Sequence, residues 1–259
     1  MITLASDFGS PYPAAMKGVL LSQTDAQLVD ISHDLPRQDV RAAAFWLRET
    51  IPYFPPAVHL AVVDPGVGTD RRALVVRVGE HALVGPDNGL LGPVIRRLTT
   101  QQPNATPAAF EITVENPEST TFHGRDVFAP AAAASHSRDL DCLADLELLS
   151  PIAFDDCVDL EFPTPTVDAG TIHGEVLVVD DFGNVITNIP GEQIDGVERV
   201  TVNGRSTPVV ETFGAVERGE PLVTVGSHGS VECDVNHGRG DEAFGLAAGE
   251  SVQLVVAAE

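Results

Sequence analysis

The sequence predicts an α/β protein, with an N-terminal α/β domain built on a mainly parallel sheet and a smaller all-β domain after it. Three observations carry that reading. Short apolar runs alternate with helical periodicity in the order β, α, β, α, β, which argues for parallel strands covered by helices. Between roughly residues 137 and 170 the texture turns acidic and Pro-containing. Beyond it come short strands divided by Gly and Asn turns, the pattern of a small barrel or sandwich. The boundary falls near residue 165, giving domains of residues 1–165 and 166–259.

Residues 1–6 read as a short buried strand ending at Asp7-Phe-Gly9, and residues 14–22 carry helical periodicity. Residues 28–31 form a second strand, 40–50 a helix with its alanines, Phe45 and Trp46 on the apolar side, and 58–63 a third strand. Further strands are expected at 73–78 and 82–84, a helix at 90–98 after the Pro86-Asp-Asn-Gly89 turn, and another helix at 127–134. In the small domain the expected strands are 174–179, 185–187, 197–202, 221–225, 230–235 and 251–256. Ligands of open α/β sheets sit at the carboxyl ends of parallel strands. Asp7 and Asp64 both fall at such ends.

Composition excludes several function classes. The chain has 38 acidic against 15 basic side chains, a formal charge of −23, and its one lysine is Lys17. Phosphate backbones and anionic membranes are held by clustered Lys and Arg, so neither nucleic acid nor a membrane surface is expected as a partner. A dense, Lys-poor carboxylate surface fits a salty cytoplasm, in which salt screens the mutual repulsion. Cys142, Cys157 and Cys233 are odd in number and lack C-x-x-C spacing, which argues against both a disulfide framework and a zinc cluster. The N-terminus lacks the charged-then-apolar order of a signal peptide, and no apolar run is long enough to span a membrane. A cytoplasmic protein is expected.

Three stretches could carry chemistry. In Asp64-Pro-Gly-Val-Gly-Thr-Asp-Arg71 a carboxylate ends a strand, two glycines let the backbone turn close to a ligand, and an Arg returns seven residues later. Read alone, this is equally an Asp-capped loop with a solvated Arg. In Thr121-Phe-His-Gly-Arg-Asp126, His123 is a natural proton acceptor near neutral pH and Gly124 leaves room for a substrate, although a lone His is often structural. In Asp180-Asp-Phe-Gly-Asn-Val185, an aromatic face between Asp and Asn could stack on a purine, or the segment is a plain β-turn. The Ser227-His228-Gly229 turn with Asn236 shares that ambiguity. Asp-Phe-Gly occurs twice, but no Gly-rich loop, strand lysine or His-Arg-Asp accompanies it, which excludes a protein kinase. No Gly-x-Gly-x-x-Gly follows the first strand, and no His-Glu-x-x-His metal spacing occurs.

Together, Ser6-Asp-Phe-Gly9, Asp64-Pro-Gly-Val-Gly68, Pro86-Asp-Asn-Gly-Leu90, Thr121-Phe-His-Gly-Arg-Asp126 and Asp181-Phe-Gly-Asn-Val-Ile-Thr-Asn188 resemble the S-adenosylmethionine hydroxide adenosyltransferase family, relatives of the fluorinase and chlorinase. The motifs occur in register over nearly the whole chain. The resemblance implies a C-terminal β-barrel and a homotrimer with active sites between one subunit's N-terminal domain and a neighbour's C-terminal domain. It implies hydrolysis of S-adenosyl-L-methionine to adenosine and methionine without a cofactor or metal, with Asp64, Arg71 and His123 directing the water. Asp7 matches the residue that holds the ribose hydroxyls, and Phe8, Tyr12, Asn88, Phe122 and Gly124 join it as substrate-contact candidates. Asp180, Phe182 and Asn184, with Ser227, His228 and Asn236, fall where adenine and methionine are met.

The alternatives implied are halide-dependent 5′-halogenation and a non-catalytic adenosyl-binding sensor. Halogenating relatives carry Tyr at the positions of Asp64 and His123 and can carry Ser at Gly124, and a carboxylate beside the attack site would repel halide. In one respect this sequence departs from the family: residues 10–15, Ser-Pro-Tyr-Pro-Ala-Ala, lack the acidic residue many relatives use to meet the methionine ammonium. Tyr12 or a backbone carbonyl is left for that contact.

Overall fold

The structure, a computed structural model, describes residues 1–113 and 119–256. Two compact units divide the chain, Met1–Glu161 and Phe162–Glu259.

The first unit is a seven-stranded sheet. Its elements are β1 (Ile2–Ser6), α1 (Tyr12–Gln23), β2 (Leu28–Ser32), α2 (Val40–Thr50), β3 (Val58–Val62), β4 (Ala73–Val78), β5 (His81–Pro86), α3 (Gly92–Gln101), β6 (Ala108–Ile112), α4 (Ala129–His136) and β7 (Leu149–Ile152). The sheet order is β2-β1-β3-β5-β4-β6-β7. The four strands β2, β1, β3 and β5 are parallel, and β4, β6 and β7 extend the sheet in antiparallel fashion. Every residue of β1 and β3 is buried, as expected where a parallel sheet is covered. The helices α1 and α4 pack over the face bearing Ile2, Leu4, Leu60 and Val62, with Met16, Leu20 and Phe128 filling the gap. The amphipathic α2 and α3 pack against each other outside that cluster.

Two local features matter for the site. β5 lies between β3 and β4, and Ala73 pairs with Pro86, so the chain from Val63 to Arg72 crosses the carboxyl end of β5 to enter β4. The segment Gly124–Phe128 forms a π-turn that leads directly into α4, its Ala129 N–H reaching back to Gly124 O. Such widened turns recur at functional sites. A chain of buried polar groups also threads the sheet, with Thr3 Oγ1 2.8 Å from His59 Nδ1 and His59 Nε2 3.0 Å from His81 Nδ1.

The second unit contains β8 (Thr166–Asp168), β9 (Thr171–Val179), β10 (Val185–Pro190), β11 (Arg199–Val202), β12 (Arg205–Pro208), β13 (Pro221–Val225), β14 (Ser230–Val235), α5 (Gly240–Phe244) and β15 (Ser251–Val256). The order β12-β11-β15-β9-β10-β14-β13 is antiparallel throughout, and a Val209 to Val223 bridge brings its two ends together into a nearly closed barrel. Alternate residues, among them Val176, Val185, Val223, Val231, Cys233, Val252 and Leu254, form its core. The three cysteines are free thiols.

The element order follows the sequence pattern, with some shifts. The α1 helix begins at Tyr12 rather than 14 because Pro13 sits in its first turn, where a missing N–H costs nothing. α3 occupies Gly92–Gln101, not 90–98, because Asn88 holds the preceding turn through residue 90. Four strands, β6, β7, β8 and β12, lie where periodicity marks none.

Candidate active site

The site is built on the carboxyl ends of the parallel strands. Beyond β1 the chain turns at Gly9, whose φ of 63° suits glycine. The Gly9 N–H donates to His33 O at 2.9 Å and the Leu35 N–H to Ser6 O at 3.2 Å. The buried Ser6 hydroxyl lies 2.7 Å from His33 Nδ1, and His33 Nε2 is 3.1 Å from Asp30, which also accepts from Lys17 Nζ at 2.5 Å. These bonds tie the ends of β1 and β2 together and fix Asp7 between them. One Asp7 oxygen accepts from the Gln38 N–H at 2.8 Å.

The second group gathers Asp64, Arg71 and His123. Arg71 Nη2 donates to Asp64 Oδ2 at 2.5 Å, and only 8% and 4% of the two side chains is exposed. The same nitrogen lies 3.3 Å from His123 Nδ1. Arg71 Nη1 donates to Arg72 O at 2.6 Å, and its guanidinium carbon sits 5.2 Å from the centroid of the Phe128 ring. A guanidinium can only donate. His123 Nδ1 is therefore the acceptor in this contact, which leaves its proton on Nε2. Burial first, then the charge of Arg71, lowers the His123 pKa, so the ring is neutral near pH 7. Burial raises the Asp64 pKa while Arg71 works against that rise. Asp64 Oδ1 and Arg71 Nε are buried and make no hydrogen bond of good geometry among the described residues. The Gly66 N–H is close enough to Asp64 to favour its charge.

Glycines set the approach. Gly68 has φ of 80°, and a Cβ there would stand 2.9 Å from Thr120 O, so the catalytic-candidate loop rests directly on the segment that carries His123. A Cβ on Gly124 would meet the Phe8 ring at 2.9 Å, Met16 Sδ at 3.1 Å and the Phe122 ring at 3.2 Å. Phe8 and Tyr12 both pack edge-on against Phe122, at 5.8 and 5.5 Å between centroids. These aromatic rings, with Asp7 and Asp64, line a cavity of about 570 Å³.

The structure thus brings together Asp7, Phe8, Tyr12, Asp64 and Phe122 around one cavity, with Arg71, His123 and Gly124 built into its supports. Asn88 instead holds the turn after β5, its Nδ2 donating to Val63 O at 2.9 Å and its Oδ1 accepting from the Leu90 N–H. In the second unit, Asp180 Oδ1 accepts from the Phe182 and Asn184 N–H groups and Oδ2 from Asn184 Nδ2, a turn that leaves the Phe182 ring 78% exposed. Ser227 and His228 occupy the turn between β13 and β14, His228 Nδ1 lies 3.6 Å from Glu232, and Asn236 Nδ2 donates to Val216 O.

Sequence reasoning missed Arg37, Gln38, Ser119, Thr121 and Arg125 as cavity residues. Gln38 carries a φ of 58° that its bond to Asp7 helps hold. Nothing in its local pattern announces this.

The chain is similar to known proteins over most of its length. Residues 2–143 match the N-terminal domain of the SAM hydroxide adenosyltransferases, and residues 174–253 match their C-terminal domain. The chain belongs to the SAM hydroxide adenosyltransferase family. It is 43% identical to the (R)-S-adenosyl-L-methionine hydrolase of Thermus thermophilus, with 96% of this chain and 97% of that protein covered. The (R)-S-adenosyl-L-methionine hydrolase of Salinispora tropica is 39% identical, over 98% of this chain and 97% of its own length. A crystal structure of an uncharacterized conserved protein from Thermotoga maritima superposes with a TM-score of 0.82 at 32% identity, covering 98% of this chain and 100% of that one.

Proposed function

We propose that this protein hydrolyses S-adenosyl-L-methionine to adenosine and L-methionine, water attacking the ribose C5′. The observation that carries this reading is the cluster of the buried Asp64 and Arg71 side chains with the half-buried His123, set among the cavity-lining Asp7 and aromatic rings. The new bond joins the water oxygen to C5′. The C5′–S bond breaks, its electron pair returns to sulfur, and methionine leaves as a neutral thioether. The leaving group needs no general acid, and no cofactor is required; the demand falls on the nucleophile.

The roles follow from the hydrogen-bond geometry. Neutral His123 has its Nδ1 lone pair turned to Arg71, so Nε2–H is a donor that holds the water oxygen rather than a base. Asp64 Oδ1 makes no hydrogen bond of good geometry among the described residues, with only the Gly66 N–H nearby, and burial makes this carboxylate more basic than an exposed one. It takes the proton as the C–O bond forms. Arg71 holds the two in register and its charge favours hydroxide character. Asp7 takes the ribose hydroxyls, and a halide would be repelled by Asp64.

The curated relatives are named for the (R) epimer, and the same substrate is proposed here. With the ribose fixed and sulfur in line with the attacking oxygen, exchanging epimers swaps the methyl group with the amino-acid chain. A site shaped for one rejects the other. A homotrimer in the cytoplasm of a salt-loaded cell completes the proposal. Its supports are the surface charge, the exposed Phe182 ring and the division of candidate contacts between two separately packed units.

The test is chromatography of purified protein with each epimer in molar KCl, with and without added halide. Adenosine and methionine from the (R) epimer are expected. A 5′-haloadenosine, or substrate bound and unchanged, would instead favour halogenation or a sensor. Asp64→Asn and His123→Ala should each lower kcat roughly 10²–10³-fold, and wild-type rates in both would sink the mechanism. Arg71→Ala is the poorer probe, because a stranded buried carboxylate costs about 3–5 kcal/mol of stability. Sedimentation velocity reads the assembly, and a monomer would overturn the trimer.

A further inference from the structure

The turn after β5 holds a buried carboxylate that the reaction above does not use. Ala73 pairs with Pro86 where β4 begins and β5 ends, so Arg72 and Asp87 form the next rung of that ladder. The Asp87 N–H donates to Arg72 O at 3.0 Å. The side chains close the same rung: Arg72 Nε donates to Asp87 Oδ2 at 2.8 Å, with Nη2 2.7 Å from that oxygen. Only 3% of the Asp87 side chain is exposed, against 29% of Arg72. Asp87 Oδ1 accepts from the Val158 N–H at 2.7 Å, and Arg72 Nη2 also donates to Asp156 O. Residues 156–160 are thus strapped onto the turn. The fit is tight, since a Cβ on Gly89 would stand 2.8 Å from Leu160 Cβ.

That rung carries one further bond. Besides the Asp87 N–H, Arg72 O accepts from Arg71 Nη1 at 2.6 Å. The Arg71 guanidinium is therefore held at both ends, by the rung through Nη1 and by Asp64, beside His123, through Nη2. Its Nε makes no hydrogen bond of good geometry among the described residues, so these two ends, with the Phe128 ring, set the plane of the group. A carbonyl that shifts takes Nη1 with it, and the 3.3 Å approach of Nη2 to His123 Nδ1 depends on that plane. Orientation at this scale matters, because a displacement of about 1 Å can cost roughly 10²-fold in rate.

We propose that Asp87 is a positioning residue for Arg71: paired with Arg72, it fixes the carbonyl that aims the Arg71 guanidinium at Asp64 and His123. Asp87 itself does not line the cavity. The proposal rests on the hydrolysis mechanism above and deepens it, adding the support on which Arg71 stands. The residue type matters here. Val158 N–H and Arg72 each need an acceptor, and a carboxylate supplies one oxygen to each. An amide supplies one acceptor and turns its NH2 on the other donor. Asp87→Asn therefore opens either the strap or the ion pair while keeping the size of the side chain.

The first test is kinetic. Asp87→Asn should lower kcat for S-adenosylmethionine roughly 10–10²-fold with KM near the wild-type value, and an unchanged kcat overturns the proposal. Arg72→Ala, which removes the more exposed partner, should do the same. The double variant should lose no more than either single change, and losses that multiply overturn the proposal. The second test reads His123 directly, by NMR titration of its imidazole without substrate. Burial and then Arg71 lower the His123 pKa, while Asp64 and Asp126 raise it, so it is expected to rise once Arg71 leaves its seat. The same pKa in wild type and Asp87→Asn overturns the proposal: a purely structural ion pair would lower the unfolding midpoint and leave this titration in place. The titration needs no turnover, so it separates failure of the positioning role from failure of the hydrolysis, which wild-type adenosine formation reads. Should Asp87→Asn fail to fold, Arg72→Ala carries both measurements.

Discussion

At the scale of single residues, the neutral state of His123 has a kinetic consequence. Burial and Arg71 both lower its pKa from 6.5, so the neutral ring that Arg71 requires persists below that value and is lost only as pH falls further. Protonation would put two cations 3.3 Å apart and break the cluster. The acid limb of the kcat profile is therefore expected below pH 6.5, and a limb at or above it would show that another group controls the rate. Asp64 and Arg71 were legible together because the glycines between them mark a tight loop. His123, 52 residues beyond Arg71, could be joined to them only through the family resemblance, since spacing says nothing across such a gap. Arg37 and Gln38 were not legible at all, because their place at the cavity depends on a backbone bond to Asp7 made 31 residues away.

At the scale of elements, the buried imidazoles between β1, β3 and β5 make the sheet acid-sensitive. His59 is neutral in the folded state, with its pKa lowered to about 3 by burial and then by His81. The unfolded chain takes a proton near 6.5, so between these values it binds more protons than the folded one and stability falls as pH falls. The slope approaches about 1.4 kcal/mol per pH unit for this one group. Urea unfolding at several pH values should show it, and His59→Gln should flatten it; an equal slope in the variant would point to the carboxylates instead. Strands β1 and β3 were legible because covered parallel strands are continuous apolar runs. β7 was not, because Leu149-Ser-Pro-Ile152 contains a proline that only its place at the sheet edge permits. Nor were β6, with two alanines among five residues, or the polar β12. The reversal at β4 escaped as well, since periodicity carries no strand direction.

At the scale of the whole molecule, the net charge of −23 sets the conditions of folding. Self-repulsion among surface carboxylates opposes compaction, and salt screens it over about 10 Å at 0.1 M and about 3 Å at 1 M. The thermal midpoint should rise steeply with KCl over that range. An uncharged osmolyte of matched osmotic strength should not reproduce the gain, and if it does, screening is not the cause. The two-unit plan was legible from the change of texture near the boundary. Short alternating strands suit a barrel and a sandwich alike, and the bridge between Val209 and Val223 decides for the barrel.

The passage of the chain over the end of β5 makes the candidate loop a gauge. Its feet stand on β3 and β4, which are two strand spacings apart, about 9–10 Å. Sheet hydrogen bonds fix that distance, so the residues between Val63 and Arg72 have a set span to cover and little freedom in how to cover it. Losing or gaining one residue there would leave the feet where they are and move the arch. The reach from carboxylate to guanidinium is thus dimensioned by the sheet itself, and the loop can vary in composition far more readily than in length.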